Sequence, residues 1–121
     1  MTKVLVIEDQ ELLRESILDI LKTRGFNAIA AEDGHQGLRL AKDFVPDLIL
    51  CDIRMPGIDG YEVLRLLRQD PVMASVPFLF LTAESIQNVA SKGQLLGASG
   101  YLTKPFTTAE LLEAIATHLK K

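Results

Sequence analysis

Disulfide bonding has nothing to work with in this chain, because its one cysteine, Cys51, cannot close an intrachain bridge. Its neighbours Leu48, Ile49 and Leu50 predict a buried thiol on a strand, and a lone thiol suits a reducing, cytoplasmic setting. Basic runs are also missing. Thirteen Lys and Arg stand against 16 Asp and Glu, a net charge of -3, with no positive cluster anywhere, which argues against direct nucleic-acid binding. Long apolar stretches are absent too: only Val4 to Ile7 separate Met1-Thr2-Lys3 from Glu8 and Asp9, too short for a signal peptide or a membrane span. No linker, repeat or low-complexity segment interrupts the 121 residues, so one domain over 1–121 is expected. Hydrophobic residues make up 48% of the chain, enough for a single compact core and too many for a disordered tail.

What is present is an alternation. Apolar runs of strand length occur at Val4 to Ile7, Leu48 to Cys51 and Phe78 to Leu81, with weaker ones at Asn27 to Ala31 and Gly100 to Leu102. Between them lie helical spacings, clearest in Leu12, Leu13, Ile17, Ile20, Leu21 and in Leu111, Leu112, Ile115, Ala116, Leu119. Capping patterns at Asp33 to Gln36, Asp59 to Glu62 and Thr107 to Glu110 mark three helix starts, while Gly25, Pro46 and Gly97 mark stops. Five βα units imply an α/β fold with a parallel sheet and helices on both faces. The unbroken apolar strands belong in the centre and the two weaker ones at the edges, which gives the doubly wound, flavodoxin-like order 2-1-3-4-5. The ligand crevice of that arrangement lies at the C-terminal strand ends, between the first and third strands.

Several chemically capable residues sit just past those strand ends: Glu8 and Asp9 after the first, Asp52 after the third, Thr82 after the fourth and Lys104 after the fifth. Each has an ordinary reading alone. Glu8-Asp9 could cap a helix, Asp52 could end a strand in a turn, Thr82 could be a cap, and Lys104 a solvated charge. Their convergence on one crevice is the stronger signal. Three carboxylates brought together repel one another and call for a cation between them, and an all-oxygen donor set favours Mg²⁺.

On these residues the chain resembles the receiver domains of two-component response regulators. The match runs through Val4-Leu5-Val6-Ile7-Glu8-Asp9, Pro46 to Gly60, Leu81-Thr82-Ala83 and Gly97 to Phe106. The resemblance implies that Asp52 accepts a phosphoryl group from the phosphohistidine of a histidine kinase or phosphotransfer protein. It also implies that Asp9, Asp52 and the Arg54 backbone carbonyl hold Mg²⁺ directly, with Glu8 acting through a metal-bound water. Lys104 would pair with the phosphoryl oxygens, Thr82 would hydrogen-bond one of them, and the bond before Pro105 would be cis. Tyr101 resembles the family's switch aromatic. The output face would comprise the segment Ser85 to Leu96, whose composition gives a weak helix, together with the fifth strand and the last helix.

Arg54 and Glu84, each two residues beyond a site residue, fall where the family varies. Their opposite charges are expected to pair across the site mouth and lengthen the life of the acyl phosphate. Gly97-Ala98-Ser99-Gly100-Tyr101 lacks the acidic pair that family members dimerising through the output face carry, which lowers the expectation of that dimer. His35, His118, Arg39, Arg65 and Arg68 read as exposed helix residues. Other functions fit less well. An Mg²⁺-dependent aspartate-nucleophile phosphatase wants an acid where Arg54 stands, and a flavin module would not place Glu8-Asp9-Gln10-Glu11 in its phosphate loop. A receiver that binds partners without phosphorylation has no need of the intact site set.

Overall fold

A computed structural model describes residues 1–83 and 97–119. Five strands, β1 (Lys3–Ile7), β2 (Asn27–Ala31), β3 (Leu48–Asp52), β4 (Phe78–Thr82) and β5 (Gly100–Thr103), form one sheet in the order β2-β1-β3-β4-β5. All four pairings are parallel, so every strand ends on the same side. The four described helices are α1 (Glu11–Thr23), α2 (Gly34–Phe44), α3 (Gly60–Arg68) and α4 (Thr108–Leu119). Glu84 and the helix expected over Ser85 to Leu96 lie outside the described residues. No described helix is long and apolar enough to cross a membrane.

The period-2 alternation of each central strand divides its side chains between two cores. Leu5, Ile7, Ile49, Cys51, Phe78 and Phe80 pack with Ala41 of α2 and Val63, Leu64 and Leu67 of α3. Val4, Val6, Leu48, Leu50, Leu79 and Leu81 pack on the other face with Ile17 and Leu21 of α1 and Leu111 and Ile115 of α4. Every residue of β3 and β4 is buried, whereas β2 and β5, at the edges, are only partly covered.

The helix starts follow the capping patterns. Asp33 Oδ1 accepts from Gln36 N at 2.8 Å and Asp59 Oδ1 from Glu62 N at 2.9 Å. At α4 the box is reciprocal, Thr107 Oγ1 accepting from Glu110 N and Glu110 Oε1 from Thr107 N. The end of α2 agrees with Pro46 as its stop signal. The helix ends at Phe44, and its C-cap Val45, next to Pro46, is in the left-handed conformation at φ 48°.

Three surface expectations need correction. Leu12 is 88% exposed, because it lies in line with Ser16 and Asp19 on the water-facing row of α1, while Ile17 and Leu21 face the sheet. Arg68 is not a solvated charge. Its Nε and Nη2 donate to the Gly97 carbonyl at 3.2 and 3.0 Å and its Nη1 to the Met73 carbonyl at 3.0 Å, tying the end of α3 to the approach to β5. His118 is half-buried, with its ring over β5: a Cβ on Gly100 would lie 2.8 Å from its Nε2. Arg65 is exposed as expected, paired with Glu62 one helical turn away.

Candidate functional site

The parallel strands bring their C-terminal ends to one cleft of about 360 Å³, lined by Asp9, Asp52, Arg54, Thr82 and Lys104 among others. Glu8, the first residue past β1, is completely buried at the cleft's inner edge. Its Oε2 accepts from Gln10 N at 3.2 Å, and its Oε1 accepts from Lys104 Nζ at 3.0 Å. Asp52 is the last residue of β3 and only 7% exposed. Its Oδ1 accepts from Ile53 N at 2.8 Å and lies 3.4 Å from Lys104 Nζ. Asp9 is more open than either, and carboxylate oxygens of Glu8, Asp9 and Asp52 come within 4.8 Å of one another.

Lys104 arrives from the opposite side of the sheet's end. Its backbone N donates to the Thr82 carbonyl at 2.7 Å, so the chain continues the β4–β5 ladder one step beyond Thr103 before turning. The Lys104–Pro105 peptide bond is cis. Thr82, 2% exposed, closes β4 beside the cleft. Arg54 sits at the cleft mouth, and its expected partner Glu84 lies outside the described residues. Tyr101 is half-buried on β5, opposite Phe80, and packs against the core shared with α2 and α3. The turn from β3 into α3 is shaped by Gly60, whose N donates to the Ile53 carbonyl at 2.8 Å and whose position leaves no room for a Cβ against the Asp52 carbonyl oxygen.

Burial raises the Glu8 carboxyl above its ordinary range and the neighbouring charge of Asp52 raises it further, while Lys104 and the Gln10 N–H pull it down. Burial likewise raises Asp52, against the attraction of Lys104 and the Ile53 N–H. One lysine thus serves two buried carboxylates, and the third, Asp9, adds more negative charge at the same point. A site of this kind is short of positive charge. Its donors are all hard oxygens, which suit Mg²⁺. Behind Asp52 the Cys51 thiol is fully buried, and burial together with the Asp52 charge pushes its pKa well up, so it stays protonated and takes the part of a core residue.

The structure therefore brings Glu8, Asp9, Asp52, Thr82, Arg54 and Lys104 to one place and sets Tyr101 on β5, with β4 between it and Asp52. It also adds Arg14, absent from the sequence reading, whose Nη1 donates to the carbonyls of Glu8 and Asp9 at 3.0 and 3.4 Å. The signal for it was there: a cation in the first turns of a helix opposes the helix dipole and needs a reason.

Residues 4–116 match the family model of the response regulator receiver domain. Protein PilG of Pseudomonas aeruginosa is 37% identical over 117 residues, which cover 97% of this chain and 87% of that protein. The phosphate regulon transcriptional regulatory protein PhoB of the same organism is 33% identical over 98% of this chain but 52% of its own length, so the chain spans about half of that relative. The chemotaxis protein CheY4 of Vibrio cholerae superposes with a TM-score of 0.94 at 30% identity, covering 98% of both chains. On its sequence, its strand order and its clustered carboxylates, the chain belongs to the response regulator receiver domains of two-component signalling.

Proposed function

We propose that this receiver domain takes a phosphoryl group from a phosphohistidine of a histidine kinase or phosphotransfer protein onto Asp52. The observation that carries the reading is the convergence of three carboxylates and Lys104 on one cleft, with Asp52 at its floor. In the transfer a carboxylate oxygen of Asp52 bonds to phosphorus as the phosphorus–nitrogen bond of the donor breaks, and the electron pair leaves with the imidazole. The product is an acyl phosphate. Asp9, Asp52 and the Arg54 carbonyl are the residues to hold Mg²⁺, with Glu8 behind them. The metal, when bound, neutralises charge on the transferring oxygens.

The chain's own groups do the rest. The Ile53 N–H orients the Asp52 carboxylate from behind, at 2.8 Å. Lys104 is already within 3.4 Å of Asp52 and can follow the new negative charge onto the phosphoryl group. Thr82 offers its hydroxyl to a phosphoryl oxygen, and that inward pull is the event that Tyr101 reads. Output then passes through the segment Ser85 to Leu96, β5 and α4 to a downstream protein or an attached effector. The domain acts as a single unit in the cytoplasm and is a signalling phosphoacceptor rather than a turnover enzyme, with no direct contact to nucleic acid or membrane. Arg54, with Glu84, sets how long the phosphoryl group lasts.

The test is incubation with Mg²⁺ and acetyl phosphate, followed by intact-mass measurement of wild type and Asp52→Ala. A gain of one phosphoryl group in the wild type alone, abolished by EDTA, is the expected result. No gain, or a gain in both proteins, contradicts the reading.

A further inference from the structure

The loop carrying the acidic pair, Glu8 to Gln10, enters α1 without the support that the other described helix entries have. Asp33, Asp59 and Thr107 each place a side-chain oxygen on a backbone N–H of the helix that follows. Gln10, the N-cap of α1, makes no side-chain capping bond. What the loop has instead is Arg14. A single nitrogen, Nη1, donates to the carbonyls of two consecutive residues, Glu8 at 3.0 Å and Asp9 at 3.4 Å, while the Gln10 carbonyl accepts the first backbone bond of α1 from Arg14 N at 2.9 Å. Both carbonyls of the acidic pair are thereby engaged by one side chain.

The placement runs against local preference. Arg14 is the fourth residue of α1, near the helix end where the dipole disfavours a cation, and it is half-buried there. A residue that breaks a local rule and is drawn into a functional loop points to a role in that loop. Two carbonyls fixed toward one guanidinium set the peptide planes on either side of Asp9, and so set the direction in which the carboxylates of Glu8 and Asp9 leave the chain. Charge is not the means. The groups that lower Glu8 are Lys104 and the Gln10 N–H, while Arg14, among the described residues, donates its side chain to backbone oxygens.

We infer that Arg14 is a positioning residue for the metal site, holding the Glu8-Asp9 backbone so that both carboxylates face Asp52 before any cation arrives. The inference rests on the Mg²⁺ reading given above and deepens it. Outer-shell partners of metal ligands typically change affinity by about 10- to 100-fold when removed.

The experiment is calorimetric titration of Mg²⁺ into wild type, Arg14→Ala, Arg14→Lys and Arg39→Ala, with thermal melts of each in EDTA. Arg39 lies exposed on α2 and removes the same charge away from the loop. Expected are a Kd about tenfold weaker for Arg14→Ala, a loss of about threefold for Arg14→Lys, which keeps one donor, and no change for Arg39→Ala. Equal affinity in wild type and Arg14→Ala overturns the role of Arg14 alone, as does an equal loss in Arg39→Ala, which would make the effect one of net charge. Should Arg14→Ala fail to melt cooperatively, Arg14→Lys decides: wild-type affinity overturns the inference and the threefold loss supports it. A wild type that binds no Mg²⁺ overturns the metal reading and the role of Arg14 with it.

Discussion

At the scale of single residues, the site is a set of charges placed where charge is expensive. Glu8 and Asp52 lie almost entirely out of water, and both carboxyls are raised by burial, with mutual repulsion adding at Glu8. The sign of the consequence follows from proton linkage. A carboxyl whose folded-state pKa lies above its unfolded value binds more protons in the folded state, so its contribution to stability falls as pH rises from about 4 through the raised value. In EDTA, the cost of keeping Asp52 ionised is therefore present at pH 7 and relieved toward pH 4, the ordinary carboxyl value. Asp52→Asn should melt higher than wild type in EDTA at pH 7, by about 4 °C, the shift given by roughly 1 kcal/mol in a domain of this size. That gain should shrink at pH 4 and reverse in saturating Mg²⁺, which stabilises only the protein that binds it. Circular-dichroism melts at the two pH values, with and without Mg²⁺, provide the check, and a wild type equal to the variant in EDTA at pH 7 would contradict the charge assignment.

At the scale of elements, the links between helices and sheet decide which contacts matter. Arg68 spends all three of its guanidinium nitrogens on carbonyls of Gly97 and Met73, while Arg65, one turn earlier, meets only Glu62 at the surface. Arg68→Ala should cost about 1 kcal/mol, since it removes the part-buried bond to Met73 and the two exposed bonds to Gly97, while the Met73 carbonyl keeps the Val76 N–H and the Gly97 carbonyl stays open to water. Arg65→Ala should leave the melting temperature nearly unchanged. Urea titration of both variants separates the two arginines, which sequence spacing alone reads as alike. The elements themselves were plain in the sequence, because strands buried on both faces have to be continuous in apolar residues and capping side chains recur at fixed offsets. Contacts that depend on how far a helix slides along the sheet were not. Nothing local tells Leu12, on the outer row of α1, from Leu13 on its inner side, or shows that His118 covers Gly100. The left-handed Val45 at the end of α2 is equally silent, since a β-branched residue is among the last expected in that conformation.

For the whole molecule, one consequence of an all-parallel sheet outweighs the rest: every strand ends on the same side, so residues nearly a hundred positions apart, such as Glu8 and Lys104, come within 3.0 Å. This is why the site was legible from sequence. Once the strand order 2-1-3-4-5 is known, the positions just past β1, β3, β4 and β5 must meet. What the sequence left out was the support, Arg14 under the acidic pair and Gly60 against the Asp52 carbonyl, because backbone contacts leave no pattern in residue type. The Ser99-Gly100 pair also has a local structural role. Ser99 Oγ accepts from Phe78 N at 3.1 Å, and Gly100 makes room for the His118 ring. The central claim, that Asp52 and no other carboxylate of the cluster is the acceptor, can be read directly. Borohydride reduction of the protein phosphorylated with acetyl phosphate and Mg²⁺ turns an acyl-phosphate aspartate into homoserine, which peptide mass spectrometry locates. Homoserine at position 52 alone is the predicted result; conversion at Glu8 or Asp9, or at none of the three, would contradict it.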